Sequence, residues 1–338
     1  MVVGARQIGK TYIIDEFCRK EFDNYIYINL FEREDLVKLF KTEISFEDKM
    51  KKFKYMIGSE LTSDTIIFFD EIQESEELIA MLKSICESSV KYKVICAGSL
   101  LGVKLKRFKK SFPVGKVLIK HMYPMTFEEF LINTKGKTVV EDIYDAYENN
   151  EPLIDVLHEE LILLYRIFLC VGGFPAAINE YIRRDSDIIR YNPMIIDSIY
   201  QSYLVDLNKY VENKTEAAHN EKVYKSIPSQ LGKENKKFQY SVIEKGGRKN
   251  KFESSLDWLF ASGIVIPVYF ASDNQIPLKA SCNDDIFKVY LNDPGLLTRV
   301  SDTTYAQIIL DEDFRFKGAI TENYVATELL ANGHSLYY

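Results

Sequence analysis

Eight residues near the start of the chain restrict its possible folds more than any other segment. They read GARQIGKT and fit the pattern GxxxxGK[ST], in which glycines let backbone N–H groups surround phosphate oxygens without steric clashes. The lysine of this pattern reaches the β- and γ-phosphates, the hydroxyl binds Mg²⁺, and the dipole of the following helix attracts anions. The alternative is an ordinary glycine turn before a helix. We expect ATP and Mg²⁺ to be bound by Gly4, Ala5, Arg6, Gln7, Ile8, Gly9, Lys10 and Thr11, with Thr11 as a metal ligand.

An apolar segment that ends in two acids supports this interpretation. Residues 65–71 read TIIFFDE, which predicts a buried strand with carboxylates at its tip. Beside a phosphate-binding loop, Asp70 would hold the Mg²⁺ shell and Glu71 would polarise the attacking water as general base. The alternative is a pair of acids that open a helix and interact favourably with its dipole.

The next apolar segment ends in a hydroxyl. Residues 94–99 read VICAGS, and the glycine closes the predicted strand. In P-loop ATPases with an additional strand, a polar residue after this strand senses the γ-phosphate or orients water. Ser99 is therefore the second candidate catalytic residue, and capping of a helix is the alternative role for its side chain.

The pattern of the first 130 residues alternates between strand-like and helix-like segments. Buried strands that alternate with amphipathic helices predict an α/β fold with a parallel sheet covered by helices. Beyond Met125 the periodicity becomes mostly helical, which predicts a helical second domain. From about Asn220, two helices precede a predicted β-hairpin of Ile264–Phe270 and Ile276–Ala280, with a further strand at Phe287–Leu291. Helices followed by a hairpin are the elements of a winged-helix module.

The net charge of −7 over 338 residues conceals two basic segments. Residues 88–127 carry nine Lys or Arg and no acid, and residues 222–251 carry nine against two acids. In the first basic segment, Arg107 and Lys116 are candidates for an arginine finger that contacts the γ-phosphate of a neighbouring subunit. A solvated basic face is the alternative.

The second basic segment surrounds the predicted winged helix. Its bases are interleaved with Phe238 and Tyr240, a combination that suits phosphate contacts on DNA and predicts strongly salt-dependent binding. A solvated charged face is again the alternative. We expect DNA contact through region 233–251, whose basic residues are Lys233, Lys236, Lys237, Lys245, Arg248, Lys249 and Lys251.

Other segments argue against a membrane or secreted protein. The longest apolar stretch, Leu161–Ile178, contains Arg166 and two glycines, so it falls short of the roughly 18 apolar residues that cross a bilayer. A glycine motif follows Met1 without a basic and apolar leader, which predicts no secretory signal. Five scattered cysteines without a CxxC pattern indicate reduced thiols and no structural zinc. We expect a cytoplasmic protein.

Eight motifs in order along the chain together resemble one family. They are GARQIGKT, FFDEIQ, AGSLLG, SFPVGK (Ser111–Lys116), YPMTFEEFL (Tyr123–Leu131), GGFP (Gly172–Pro175), LNDPGLL (Leu291–Leu297) and GAITENYVATEL (Gly318–Leu329). This set is similar to the prokaryotic AAA-superfamily ATPases of AAA_14 type that carry a DUF4143 domain. The resemblance implies four parts: a P-loop AAA core at 1–131, a helical lid at 132–215, a winged-helix-like segment at 216–300 and the start of a nuclease-like C-terminal domain at 301–338.

The two ends of the sequence depart from that family. Only Met1–Val3 precede the glycine loop, so the first strand is expected to be truncated. The chain stops at Leu336–Tyr338, where the family usually continues into nuclease-like strands. We therefore expect the chain to be part of a longer protein, and we assign no nuclease activity to these residues.

Two functional hypotheses follow. In the first, the chain binds ATP and its Mg²⁺-dependent hydrolysis drives a conformational switch, with DNA and further copies of the chain as candidate partners. In the second, it is a DNA- or protein-binding module in which ATP is structural or is hydrolysed very slowly.

Overall fold

The structure is a computed structural model that describes residues 1–88, 92–108, 112–113, 115–211 and 213–338. It divides into two compact units, Met1–Met122 and Tyr123–Tyr338. Parts of two segments discussed above lie outside the described residues: Lys91, Lys109 and Lys110 of the first basic segment, and Ser111 and Val114 of the SFPVGK motif.

The first unit is built on a parallel sheet, as the alternating pattern predicts. Its strands are β1 (Val2–Val3), β2 (Tyr25–Asn29), β3 (Ile66–Asp70), β4 (Lys93–Gly98) and β5 (Lys120–His121). They are hydrogen-bonded in the order β2-β3-β4-β1-β5, and all four pairings are parallel. The two residues of β1 therefore occupy a central position, between β4 and β5.

Helices cover both faces of this sheet. They are α1 (Lys10–Glu21), α2 (Glu34–Lys41), α3 (Phe46–Ile57), α4 (Glu76–Glu87) and α5 (Leu101–Lys106). All five residues of β3 are buried, because Phe69 packs with Phe40 of α2 and Phe53 of α3, while Phe68 packs on the other face with Ile14 of α1. This two-sided apolar packing fixes the position of the acids that follow Phe69.

The second unit is mainly helical. Its helices are α6 (Phe127–Lys135), α7 (Lys137–Asn149), α8 (Asp155–Val171), α9 (Pro175–Arg183), α10 (Met194–Asp206), α11 (Lys214–Leu231), α12 (Tyr240–Ile243), α13 (Lys249–Ser262), α14 (Pro294–Val300), α15 (Tyr305–Ile309) and α16 (Lys317–Ala331), and its strands are β6 (Val265–Ala271) and β7 (Cys282–Leu291). The longest apolar stretch of the sequence is divided between α8 and α9. In the part of the chain that the structure describes, no helix is both long and apolar enough to cross a bilayer.

The predicted hairpin is partly wrong. The first strand lies at β6 as expected, but Ile276–Ala280 does not form its partner, because Leu278–Ser281 is a 3-10 turn. The antiparallel partner of β6 is β7, which is longer than the predicted strand at Phe287–Leu291. Proline explains the error: Pro277 has no N–H to donate to a strand ladder, so the apolar residues around it belong to the loop.

Two of the sequence motifs interlock within the second unit. Asp293, from LNDPGLL, is fully buried and accepts hydrogen bonds from the backbone N–H of Gly173 (2.6 Å) and of Leu296 (2.8 Å). A Cβ on Gly172 would lie 2.2 Å from the Asp293 carboxylate, and φ at Gly172 is +75°. Burial raises the pKa of Asp293 to about 6. The GGFP and LNDPGLL motifs are thus explained by a single structural contact between α8 and α14.

This contact predicts a large loss of stability on replacement of Asp293. Asp293→Ala leaves the N–H groups of Gly173 and Leu296 buried without acceptors, which should lower the free energy of unfolding by about 3 kcal/mol. Urea unfolding followed by circular dichroism measures the change. The exposed Asp313→Ala is the control and should change stability by less than about 0.5 kcal/mol. Equal effects of the two substitutions would contradict this account of the motifs.

Candidate functional site

The glycine loop connects β1 to α1 at the carboxyl edge of the sheet, where parallel α/β folds bind ligands. Gly4 (φ +151°), Gln7 (φ +65°) and Gly9 (φ +94°) all have positive φ. A Cβ on Gly4 would lie 2.3 Å from the carbonyl oxygen of Met122, so the loop also packs too closely there for any larger residue. No side chain caps the first turn of α1 in the described structure, and that turn contains no acid. The helix end is therefore suited to an anion.

Lys10 lies at the first position of α1 and is only 7% exposed. Its Nζ donates to the carbonyl oxygens of Gly4 (3.0 Å) and Ala5 (2.6 Å). The ammonium is thus held over the loop by neutral acceptors, and anionic phosphate oxygens would make stronger hydrogen bonds with it.

Asp70 joins the end of β3 to the glycine loop. Its Oδ2 accepts hydrogen bonds from the hydroxyls of Thr11 (2.8 Å) and Tyr27 (3.2 Å), and its Oδ1 accepts from the backbone N–H of Glu71 (3.0 Å). The side chain is buried, and this desolvation raises the pKa of Asp70, although the Thr11 hydroxyl partly opposes the rise. Burial, followed by the charge of Asp70, raises the pKa of Tyr27 to about 12. A cation at this carboxylate would relieve the desolvation.

Thr11 and Asp70 are the residues that fit a magnesium ion. A hydroxyl and a carboxylate oxygen 2.8 Å apart are hard oxygen ligands, which Mg²⁺ prefers, and it binds to proteins through few side chains together with substrate phosphates. Within the described ranges, no three His, Cys, Asp or Glu side chains are grouped so as to hold a metal by themselves. A metal at Thr11 and Asp70 would therefore need phosphate or water oxygens as further ligands.

Glu71 follows Asp70 in a left-handed conformation, with φ +52° and ψ +43°. A non-glycine residue held there costs about 1 kcal/mol or more, and such strain is concentrated at functional sites. The turn directs the Glu71 carboxylate to Gln73, whose Nε2 donates to Oε2 of Glu71. Gln73 was missed by the sequence reasoning, although it lies in the FFDEIQ motif; the 3-10 turn at Ile72–Glu74 returns its side chain to Glu71.

Ser99 lies at the same edge of the sheet as Glu71, directly after β4. The register pairs Phe69 of β3 with Cys96 of β4, so both strands end at this edge. The Ser99 side chain is buried, at 6% exposure. The alternative role, capping of a helix, does not apply, because α5 is preceded by Leu100 at the N-cap and has no side-chain cap. The role of Ser99 toward phosphate stays a prediction.

Neither arginine-finger candidate is assigned by the geometry. Lys116 forms an ion pair with Glu87 (3.4 Å), the last residue of α4, at the edge where the strands begin. Arg107 follows the last turn of α5. A role in a neighbouring subunit stays a prediction for both.

Two family models match parts of the chain. Residues 1–131 match the AAA domain family AAA_14, and residues 162–307 match a domain of unknown function, DUF8612. The first match agrees with the strand order and the loop geometry, so residues 1–131 are similar to this AAA domain family in both sequence and fold. The sequence resemblance implied a DUF4143 domain that begins at residue 301, but the model that matches the chain after residue 131 is that of DUF8612.

Among the proteins that are similar to the chain are a curated relative and two of solved structure. The uncharacterized protein MJ1544 of Methanocaldococcus jannaschii is 29% identical over 177 residues, which are 52% of this chain and 35% of that protein. The chain thus matches about a third of the length of this relative. The Walker-type ATPase PABY2304 of Pyrococcus abyssi superposes with a TM-score of 0.51 at 16% identity, over 88% of this chain and 89% of that chain. The Aeropyrum pernix ORC2 protein superposes with a TM-score of 0.41 at 13% identity, over 92% and 88%. The likeness to PABY2304 shows a shared fold.

The buried charge at Asp70 predicts a gain in stability when it is removed. In Asp70→Asn, the amide keeps the hydrogen bonds, because hydroxyls can also accept, and the desolvation of a carboxylate disappears. Without nucleotide or Mg²⁺, the urea midpoint of Asp70→Asn at pH 8 should therefore exceed that of the parent. The gain should shrink as pH falls through the raised pKa and vanish below the ordinary value of 3.8, where Asp70 is protonated in both the folded and unfolded chains.

Asp15 offers a control of opposite sign. Its hydrogen bond from Arg19 lowers the pKa of Asp15, so Asp15→Asn should reduce stability at pH 8. A midpoint for Asp70→Asn below that of the parent at pH 8 would contradict the proposed cost of the buried carboxylate.

Proposed function

We propose that the chain binds Mg²⁺-ATP at the Gly4–Thr11 loop and hydrolyses it, with Glu71 as general base. The single observation that carries the proposal is the contact of Thr11 Oγ1 with Asp70 Oδ2, 2.8 Å apart, next to the buried ammonium of Lys10. It brings together the hydroxyl, the carboxylate and the lysine that phosphate and Mg²⁺ binding requires. The match of residues 1–131 to the AAA domain family supports the same conclusion.

Each residue has a distinct task in this proposal. Lys10 leaves the carbonyl oxygens of Gly4 and Ala5 and donates to the phosphates, while the loop N–H groups bind the remaining oxygens. Thr11 and Asp70 hold Mg²⁺, which supplies positive charge to the phosphate oxygens when bound. Glu71 accepts the proton of the attacking water, which Ser99 helps to orient.

Hydrolysis on this scheme changes the conformation of the chain. Lys10 donates to two carbonyl oxygens of its own loop, and phosphate oxygens must replace these acceptors on binding, whereas Thr11 can bind Mg²⁺ through its oxygen and still donate its proton to Asp70. A ligand can shift a conformational equilibrium only by its differential affinity for the two states, and these exchanges provide such a difference. We infer that the bound and released states of the loop are the two positions of a switch. Assembly into a homo-oligomer and a cytoplasmic location stay predictions.

Two substitutions test nucleotide binding and hydrolysis separately. Lys10→Ala removes a charged donor to the phosphates and should weaken ATP binding by about 100-fold, as measured by isothermal titration calorimetry with Mg²⁺. Glu71→Gln should leave the ATP affinity within a few-fold of the parent but lower kcat by at least about 100-fold, as measured by phosphate release.

Both substitutions have matched controls in the same elements. Lys20→Ala removes an exposed lysine of α1 that pairs with Glu16, and Glu74→Gln replaces an exposed acid of the same 3-10 turn. Neither should change affinity or kcat by more than about twofold. If Lys10→Ala and Glu71→Gln bind and hydrolyse ATP like the parent, the proposal is wrong.

DNA contact through region 233–251 is a second proposal. It is supported by the order α11, α12, α13, β6, β7 and by the pairing of Phe238 N–H with the Phe287 carbonyl (2.8 Å), which adds a strand position to the hairpin as in winged helices. Much of the positive charge is paired within the chain, however: Lys236 with Glu322, Lys249 with Asp285 (2.6 Å), and Lys222 and Lys251 with Glu244. Those two lysines lower the pKa of Glu244 to about 2.

Lys245 and Arg248 are the bases best placed for DNA. Both are exposed, and within the described ranges neither has a carboxylate at ion-pair distance. If each contacts a phosphate, the double variant Lys245→Ala/Arg248→Ala should reduce the slope of log K against log[salt] by about 2. Duplex DNA binding by fluorescence anisotropy across a salt series measures the slope, and Lys225→Ala, which removes a lysine paired with Glu221, is the control. An unchanged slope would exclude Lys245 and Arg248 as phosphate contacts. ATPase rates measured with and without the DNA would reveal coupling between DNA binding and ATP hydrolysis.

A further inference from the structure

Gln73 is a buried residue whose amide is satisfied at one end only. The side chain is 5% exposed, and its Nε2 donates to the Glu71 carboxylate. Its Oε1 is buried and has no hydrogen-bond partner among the described residues. The orientation of the amide follows from chemistry, because an ionised carboxylate only accepts hydrogen bonds and so selects the NH₂ end.

The unsatisfied end of this amide packs against the backbone of Gly98, the last residue of β4. A Cβ on Gly98 would lie 1.8 Å from Oε1 and 3.0 Å from Cδ of Gln73. Gly98 has no positive φ, so the requirement for glycine here is purely steric. The Gln73 amide therefore bridges the ends of two strands: Glu71 follows β3, and Ser99 follows Gly98 on β4.

We propose that Gln73 is a positioning residue for Glu71: its amide, held against Gly98, fixes the carboxylate of Glu71 for proton abstraction and connects it to the β4 end that carries Ser99. The inference rests on the proposed ATP hydrolysis. Glu71 itself has a flexible side chain on a strained turn, and a displacement of about 1 Å in a catalytic group can reduce a rate about 100-fold. An amide packed between two strand ends supplies the rigid support that such a group needs.

Stability does not explain the choice of glutamine at this position. A buried carbonyl without a partner destabilises a fold, and an apolar side chain of the same shape would remove that cost. Methionine has nearly the same length as glutamine and no hydrogen-bonding amide. Positioning and a merely structural role therefore predict opposite outcomes for the same substitution.

Gln73→Met separates these outcomes. We expect kcat to fall by about 10- to 100-fold with KM and ATP affinity within about threefold, while the melting temperature is unchanged or higher. The control is Gln230→Met, at a buried glutamine whose amide makes two hydrogen bonds with the backbone of Gln239 (2.9 and 3.0 Å). It should lower the melting temperature and leave kcat unchanged. A Gln73→Met variant that loses stability and keeps kcat would overturn the proposal.

A double-mutant cycle tests the part of the proposal that concerns Gly98. Gly98→Ala displaces the Gln73 amide and should lower kcat as much as Gln73→Ala does. In the Gln73→Ala background the added methyl has room, so Gly98→Ala should change kcat by less than about twofold. Gly318→Ala, in α16, is the glycine control, because among the described residues its added Cβ would meet only Lys236 Nζ, at 3.6 Å. Equal losses from Gly98→Ala in both backgrounds would show that Gly98 acts by another route and would overturn the proposed support.

Gln73→Glu adds a second measurement, the pH dependence of kcat, which would not change if Gln73 had only a structural role. Two carboxylates in one site disfavour ionisation of both, so the acidic limb of the pH profile of kcat should move to higher pH, with recovery of kcat as pH rises. An unchanged limb would contradict contact between residues 71 and 73 during turnover. Failure of the underlying function is distinguishable: if the parent does not hydrolyse ATP, both proposals fall. Suppose instead that the parent hydrolyses ATP, that Glu71→Gln abolishes turnover, and that Gln73→Met keeps the parental kcat. In that case only the positioning role of Gln73 is wrong.

Discussion

The hydrogen bond between Thr11 and Asp70 is the contact on which the rest of the site depends. It joins the first turn of α1 to the end of β3, two elements that are distant in sequence and adjacent in the fold. The bond requires the Asp70 carboxylate to stay buried at the end of β3. The aromatic packing of Phe68 and Phe69 on opposite faces of β3 holds the strand, and with it Asp70, in this position. The glycine loop is therefore positioned by the apolar core of the sheet, and only its detailed shape depends on its own glycines.

Features that cost stability are concentrated at this same edge of the sheet. Asp70 is a desolvated carboxylate with a raised pKa, Glu71 is held in a left-handed conformation, and the Oε1 of Gln73 is buried without a partner among the described residues. Residues and conformations that lower the stability of a fold are expected at its functional sites. Metal and water would interact with the first two of these groups, the carboxylates of Asp70 and Glu71, so features that cost stability here would favour the binding of a ligand.

The sequence predicts those parts of the site that depend on local chemistry. The glycine loop, the Asp70–Glu71 pair and the parallel sheet can all be read from motifs and periodicity, because the backbone conformations and strand burial they need restrict the residue types allowed. Contacts between distant segments cannot be predicted in this way. The link from Asp293 to Gly172 and the packing of Gln73 on Gly98 join residues whose individual patterns suggest only a turn. Ion pairs between distant residues, such as Lys236 with Glu322, likewise neutralise part of the positive charge of a basic segment. Counting charges along the sequence does not reveal such pairs.

The central claim is that Lys10 exchanges its contacts within the loop for the phosphates of ATP, with Mg²⁺ held at Thr11 and Asp70. A crystal structure of the chain with Mg²⁺ and a non-hydrolysable ATP analogue tests it most directly. We expect Lys10 Nζ to have left the carbonyl oxygens of Gly4 and Ala5 for the phosphates, and Mg²⁺ to lie beside Thr11 and Asp70. A nucleotide bound elsewhere, or a Lys10 that still contacts both carbonyls beneath a bound nucleotide, would contradict the account.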